Sequence, residues 1–238
     1  MGDPDLRAGF GAGPYQAAPA PIRVLIVEDH YTLADSLTLA LELQPDMECA
    51  GIAGTVSQAL ELVAGCEPDV VLMDVRLPDG SGIDATARIR EIRPARAVLV
   101  LTAHPDPELA ARAAEAGAAG FLRKVARVNE ILRAIRLANA GELSLDATAL
   151  RALVAVGSTN GDRPKTGVAN LTTRETEVLA LMVAGVGPKA IAARLDITVS
   201  TCRSYVKAIL QKLGVHSQLE AVAVATRDGL ITPTAGER

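Results

Sequence analysis

Three short aliphatic runs do most to limit what this chain can fold into: Val24-Leu25-Ile26-Val27, Val70-Val71-Leu72-Met73 and Val98-Leu99-Val100-Leu101. Each is too short for a helix and apolar at every position, which fits a strand buried on both faces. Each also breaks off at a polar residue, respectively Glu28, Asp74 and Thr102. Between them, apolar residues recur at helical spacing, as in Leu33, Leu37 and Leu41, or Val56, Leu60 and Val63. A weaker strand over 47–52 and a short one at Gly120-Phe121-Leu122 complete an alternation of five strands with five helices. The last of these helices carries Val128, Ile131, Leu132 and Ile135 and ends near Gly141. Such alternation predicts a parallel sheet covered on both faces and joined by right-handed crossovers. The flavodoxin-like strand order 2-1-3-4-5 is the common solution. With 49% hydrophobic residues but only 2% aromatic ones, the core must be aliphatic.

Open sheets of this kind place their ligands at the carboxyl ends of the strands. That edge would collect Glu28, Asp29, Asp74, Thr102 and Lys124. An Asp after a strand can equally cap a helix or shape a turn, and Pro78-Asp79-Gly80 is a turn signal; the company Asp74 keeps argues for more. Three carboxylates so close would raise one another's pKa unless a cation stands among them. Mg²⁺ suits hard oxygen ligands with room left for water and a phosphoryl group. A neutralised Asp74 can then act as a nucleophile toward phosphorus, with Lys124 and the cation spreading the charge and Thr102 donating a hydrogen bond.

Residues 22–140 resemble a response-regulator receiver domain. The resemblance rests on Glu28-Asp29, on Met73-Asp74 through Leu77-Pro78-Asp79-Gly80, on Leu101-Thr102-Ala103 and on Gly120-Phe121-Leu122-Arg123-Lys124. It implies that Asp74 accepts phosphate from a sensor histidine kinase. It implies Mg²⁺ on Asp29, Asp74 and the backbone carbonyl of Arg76, with Glu28 helping through water. Thr102 and Phe121 match a switch pair, in which the hydroxyl moves to the phosphate and the ring turns inward. His30 follows the acidic pair and is expected to pack or face solvent rather than bind.

A second pattern follows a linker-like stretch, Gly157 to Pro164. Leu143–Val156 before it reads as a helix. From Leu171 onward, Thr172 or Thr173 caps a helix with Glu175 in its first turn. Ile191, Ala192 and Leu195 mark a short helix, and Val199–Leu213 a longer one; a fourth begins at Leu219. Residues 170–233 resemble the LuxR-type helix-turn-helix, through Leu171-Thr172-Thr173-Arg174-Glu175, Ile191-Ala192-Ala193-Arg194-Leu195 and Lys207 to Val215. The longer helix should enter the major groove of double-stranded DNA. Ser200, Thr201, Arg203, Ser204 and Lys207 lie on or near its exposed face, and Arg203 and Lys207, four apart, can point the same way. Lys189 and Thr201 are expected to hold phosphates. Gly187-Pro188 departs from the usual polar pair but suits a first helical turn. Cys202 replaces a usual apolar residue and should be buried. The resemblance further implies a homodimer through the last helix, with Leu219, Val222 and Ala223 as contact face.

The expected organisation is therefore a disordered extension over 1–20, a receiver domain over 21–141, a helix and linker over 142–169, and an all-α four-helix DNA-binding domain over 170–234. Charge divides accordingly: residues 170–238 hold eight Lys/Arg against six Asp/Glu, whereas residues 1–156 hold fourteen against twenty-one. Such asymmetry suits two halves with different partners. Three scattered cysteines offer no metal or disulfide spacing, so a reducing cytoplasm is expected. No apolar run reaches the roughly 18 residues of a membrane span. A DNA-binding factor that works without phosphate is the alternative to a kinase-controlled regulator. An Asp-nucleophile phosphohydrolase is a third class, argued against by Arg76 where such enzymes usually carry a second Asp; no enzyme activity is expected.

Overall fold

The computed structural model describes residues 20–94, 96–104, 106–142, 144–145 and 171–231. All but the last residue of the extension expected over 1–20, and the linker expected over 157–164, lie outside them. In chain order the first part runs β1 (Ile22–Val27), α1 (Tyr31–Glu42), β2 (Met47–Ala53), α2 (Val56–Cys66), β3 (Val70–Asp74), a two-residue hairpin β4 (Arg76–Leu77) and β5 (Gly80–Ser81), α3 (Gly82–Ile92), β6 (Ala97–Thr102), α4 (Pro107–Glu115), β7 (Gly120–Arg123), α5 (Val128–Asn139) and β8 (Ser144–Leu145). Then follow α6 (Thr173–Val183), α7 (Pro188–Arg194), α8 (Val199–Leu213) and α9 (Gln218–Arg227).

The main sheet has the order β2-β1-β3-β6-β7-β8, and every adjacent pair in it is parallel. Its first five strands follow the expected 2-1-3-4-5 order. The aliphatic runs divide by the twofold alternation of a strand. Val24, Ile26, Val70, Leu72, Leu99 and Leu101 pack against Leu37 and Leu41 of α1 and Ile131 and Ile135 of α5. Leu25, Val27, Val71, Met73 and Val98 pack on the opposite face with Ala59 and Val63 of α2 and Ala85 and Ile89 of α3. Leu72 is fully buried, so truncating it to Ala should cost about 2–5 kcal/mol.

Two local features differ from the sequence reading. Ser144 and Leu145 are not helical; they add a sixth strand, opposite Gly120 and Phe121. The physical reason is the open edge of β7, whose free N–H and C=O groups capture the chain as it leaves α5. The remainder of the expected 143–156 helix lies outside the described residues. The turn at Pro78-Asp79 closes a short antiparallel hairpin, Arg76 opposite Ser81. Asp79 also reaches the start of α2, accepting from the backbone N–H groups of Val56 at 2.7 Å and Ser57 at 3.0 Å. There it answers the unpaired amides of a helix N-terminus.

In the second part, Thr172 caps α6 and Glu175 returns a bond to the Thr172 N–H at 2.7 Å, a reciprocal box. Pro188 stands in the first turn of α7. Thr198 caps α8, which ends at Gly214 in the left-handed region with φ 67°. A third buried cluster is shared by the two parts: Val100, Ala110, Ala113, Ala114 and Phe121 belong to it together with Val178, Leu179, Leu219, Val222 and Ala225.

Candidate functional site

The parallel register brings the ends of β1, β3, β6 and β7 to one edge. There Asp74 ends β3, 4% exposed, and Glu28, just past β1, is 2% exposed. Lys124 follows β7, and its backbone N–H donates to the Thr102 carbonyl at 2.7 Å, which fixes where its side chain starts. Its Nζ lies 2.8 Å from Asp74 Oδ2 and 2.8 Å from Glu28 Oε2. Residues 28, 74 and 124, far apart in sequence, thus form one buried ion-paired group. Gly82 is what lets α3 begin here: a Cβ on it would stand 1.7 Å from the Asp74 carbonyl oxygen.

Asp29 and His30 stand at the mouth of the group. The His30 Nδ1 is 2.9 Å from Glu28 Oε1 and 2.8 Å from Asp29 Oδ1, although only the first contact has hydrogen-bond geometry. The Glu28 bond, then the charge of Asp29, raise the pKa of His30. His30 was expected to pack or face solvent; its side chain is mostly exposed, but the ring nitrogen leans into the acidic group. Donor atoms from Glu28, Asp29, His30 and Asp74 lie within 4.8 Å of one another. An open cleft of about 930 Å³ leads to them, lined by Asp29, His30, Tyr31, Asp74, Arg76, Thr102 and Lys124 among others.

Burial raises the Asp74 pKa; the Lys124 bond opposes this, the Glu28 charge adds to it, and the net direction is upward. Burial also works to lower Lys124, but its bonds to Asp74 and Glu28 outweigh that and its pKa is raised. A carboxyl that is costly to ionise, beside a second carboxylate with only one ammonium between them, is a place where a further positive charge would be stabilised. The oxygen-rich donor set, with Asp29 Oδ1 buried and making no hydrogen bond, fits a hard divalent cation.

Thr102 is buried at the end of β6. Its Oγ1 accepts from the His104 N–H at 3.2 Å and donates to the His104 carbonyl at 3.3 Å. The Arg76 N–H donates to Asp74 Oδ1 at 3.3 Å, and the Arg76 side chain is exposed. Phe121 is 1% exposed, so a ring expected to turn inward already sits inside.

On the other part, Lys189, Ser200, Arg203, Ser204 and Lys207 are exposed and Thr201 half-buried. Thr198 Oγ1 ties the start of α8 together, 2.8 Å from both Ser200 Oγ and Thr201 Oγ1. Arg203 is not free: its Nη2 lies 2.6 Å from Glu142 Oε1. Leu219 and Val222 are fully buried inside the chain and Ala223 is half-buried. The first two are therefore covered here, within the buried cluster shared by the two parts, rather than on an open surface. Cys202 is buried, as expected, and burial pushes its thiol pKa up.

The sequence reading did not single out Glu142 or Arg90. Arg90 Nη2 donates to the His216 carbonyl at 3.2 Å, across 126 residues, and another of its nitrogens reaches the Arg96 carbonyl at 2.8 Å. Nothing in the local sequence marks either residue, because their partners are set by how the two parts meet.

Residues 24–136 match the response regulator receiver domain family, and residues 169–225 match the bacterial regulatory proteins of the luxR family. The chain is 34% identical over 207 residues to the DNA-binding transcriptional activator DevR/DosR of Mycobacterium tuberculosis, covering 86% of this chain and 94% of that one. It is 35% identical over 211 residues to the transcriptional regulatory protein LiaR of Bacillus subtilis, covering 88% of this chain and 99% of that one. A LuxR-family two-component response regulator from Aurantimonas superposes with a TM-score of 0.51 at 30% identity, over 54% of this chain and 91% of that one. Among the described residues, no helix is long and apolar enough to cross a membrane.

Proposed function

Because the chain belongs to the two-component response regulators that join a receiver domain to a LuxR-family DNA-binding domain, we propose that a histidine kinase phosphorylates Asp74 and that this modification governs DNA reading by α8. One observation carries the reading: Lys124 lies 2.8 Å from both Asp74 and Glu28 on the sheet edge, and Asp74 and Lys124 line an open cleft.

In the transfer, a carboxylate oxygen of Asp74 forms a bond to phosphorus while the phosphorus–nitrogen bond of a phosphohistidine breaks, and the bond's electrons leave with the imidazole nitrogen. The product is an acyl phosphate on Asp74. Lys124 holds Asp74 ready and, once the phosphoryl group is in place, pairs with one of its oxygens. Thr102 exchanges its bonds with His104 for a phosphoryl oxygen. Asp29, Asp74 and the Arg76 carbonyl, with Glu28 nearby, are the residues that would hold Mg²⁺. When bound, the ion neutralises the carboxylates and spreads the charge of the transferring group. Phe121 starts buried, so its part is to shift within a packed cluster rather than to cross from solvent to core.

Arg203, Lys207, Ser200 and Ser204 are the residues proposed to reach base edges, with Lys189 and Thr201 holding phosphates. The active form is a homodimer occupying two half-sites in the cytoplasm. Since Leu219 and Val222 are engaged inside the chain, pairing through α9 needs at least part of that helix, Ala223 first, to be uncovered.

The test is intact mass after incubation with acetyl phosphate and Mg²⁺. The wild type is expected to gain one phosphate and Asp74→Asn none. A wild type that gains none, or an Asp74→Asn variant that gains the same, overturns the assignment.

A further inference from the structure

A short stretch at the exit of α5 touches three elements at once. The Gly141 carbonyl accepts from Gln218 Nε2 of α9 at 2.6 Å. Glu142 Oε1 accepts from Arg203 of α8 at 2.6 Å. Ser144 and Leu145 then pair with Gly120 and Phe121 of β7. β7 is the strand that delivers Lys124, three residues beyond Phe121, to Asp74. The reading helix, the final helix and the strand that serves the phosphoacceptor edge are thus tied to one piece of chain.

We propose that Gly141 and Glu142 form a clasp which DNA must displace, so that operator DNA and the phosphoryl group each promote the binding of the other. The inference rests on the reading of α8 as the DNA-contacting helix and Asp74 as phosphoacceptor. The Arg203 Nη2 that Glu142 engages is one of the terminal nitrogens a bidentate contact to a base edge would need, so full use of the guanidinium on DNA requires that bond to be given up. Glu142 therefore occupies the place of a nucleic-acid acceptor. The Glu142 side chain is 13% exposed, while the Arg203 side chain is 57% exposed. The arginine, with more open space around it, is therefore the partner that swings away.

The rest of the interface supports a docked state that opens as a unit. No residue of α9 is exposed: the helix lies against α6 and α8 of its own domain and against α4 of the receiver domain. Arg90 holds the His216 carbonyl from α3, and Arg227 lies 3.6 Å from Glu115 of α4. Phe121 shares its buried cluster with Leu219, Val222 and Ala225. A change at Phe121 therefore acts on the seat of α9 through packing and on Glu142 through the β7–β8 pairing. If phosphorylation favours the open arrangement and DNA binds only that arrangement, linkage requires DNA to favour phosphorylation by the same factor.

The experiment uses the full chain and a duplex selected by the acetyl-phosphate-treated protein from a random pool. Glu142→Gln removes the charge, and Glu142→Asp keeps it but draws it back by one methylene. For a half-exposed ion pair, the unphosphorylated forms of both variants are expected to bind the duplex about two- to fivefold more tightly than unphosphorylated wild type. The duplex is expected to speed acetyl-phosphate phosphorylation of the wild type, and to speed it less in either variant. Unphosphorylated variants that bind no more tightly than wild type overturn the clasp. So does a tighter Glu142→Gln beside an unchanged Glu142→Asp, which is simple relief of repulsion from DNA. Tighter binding by both variants, with acetyl phosphate altering the DNA affinity of none of the proteins, keeps the masking of Arg203 by Glu142 but overturns its coupling to Asp74, and with it the role given to Asp74. Thermal melting of each variant checks that the chain remains folded.

Discussion

Lys124 and Arg203 both hold a carboxylate from a distant part of the chain, yet they do it in opposite surroundings. Lys124 is 14% exposed and bridges two buried carboxylates at a sheet edge. Arg203 is 57% exposed and makes one contact across the meeting of two domains. A buried pair is costly to break because it leaves an unpaired charge in poor solvent, whereas an exposed pair trades readily with water or with another anion. On the proposed function this difference has a use: the receiver edge would stay in place as a rigid input while the helical face exchanges partners as the output.

That contrast breaks most severely at Gly82. Gly82→Ala places a methyl group against the Asp74 carbonyl, and neither backbone can yield without moving the sheet edge. A loss of about 3 kcal/mol or more is expected in urea unfolding of the receiver transition. A loss within about 0.5 kcal/mol would mean that the edge is as adaptable as the exposed face.

A second variant asks whether the helical domain has any rigid ion pair of its own. Glu175 is 6% exposed on its side chain and accepts from Lys212 Nζ at 2.7 Å. The Lys212 bond, then that of the Thr172 N–H, hold its pKa below the ordinary 4.5. Glu175→Gln keeps the capping geometry and removes the charge. The domain should lose about 1–2 kcal/mol at neutral pH. Because the folded pKa is depressed, the stability from ionised Glu175 is present above the unfolded value and lost as pH falls through the folded one. The gap between wild type and variant should close on acidification below about 4.5; a gap independent of pH would contradict the ion-pair account.

The smallest effect is expected at the start of α8. Thr198→Ala removes the oxygen that accepts from the Thr201 N–H at 3.1 Å. It should cost about 1 kcal/mol in unfolding of the helical domain, and leave acetyl-phosphate labelling of the receiver domain unchanged. A change in labelling of comparable size would show that the two regions are less separate than their burial implies.

The same contrast explains what the sequence made legible. Strand ends were readable because a buried parallel strand is aliphatic at every position, so Glu28, Asp74 and Thr102 announce themselves as the polar residues where the aliphatic run stops, although all three are themselves buried. Thr172 with Glu175, and Pro188 in a first turn, were readable because capping acts over three residues. The partners of Arg203 and Arg90 were not, because Glu142 and the His216 carbonyl are 61 and 126 residues away and arrive only when the two domains meet. Strand β8 was hidden too: two residues carry no period, and the open edge of β7 alone decides that they pair. The face of α9 was ambiguous for a different reason. Its sequence alternates Ala and Val with no polar stripe broad enough to say which side seals the domain, and the structure gives Leu219 and Val222 to the inside.

The most direct measurement of the whole account is the affinity of the full chain for a selected duplex, with and without acetyl phosphate and Mg²⁺, for wild type and Asp74→Asn side by side. The wild type should tighten by about tenfold on phosphorylation, within the usual range of coupling between two sites, while Asp74→Asn should bind the same with or without the donor. An Asp74→Asn chain that tightens as the wild type does would contradict the claim that the buried carboxylate at the end of β3 controls the reading helix.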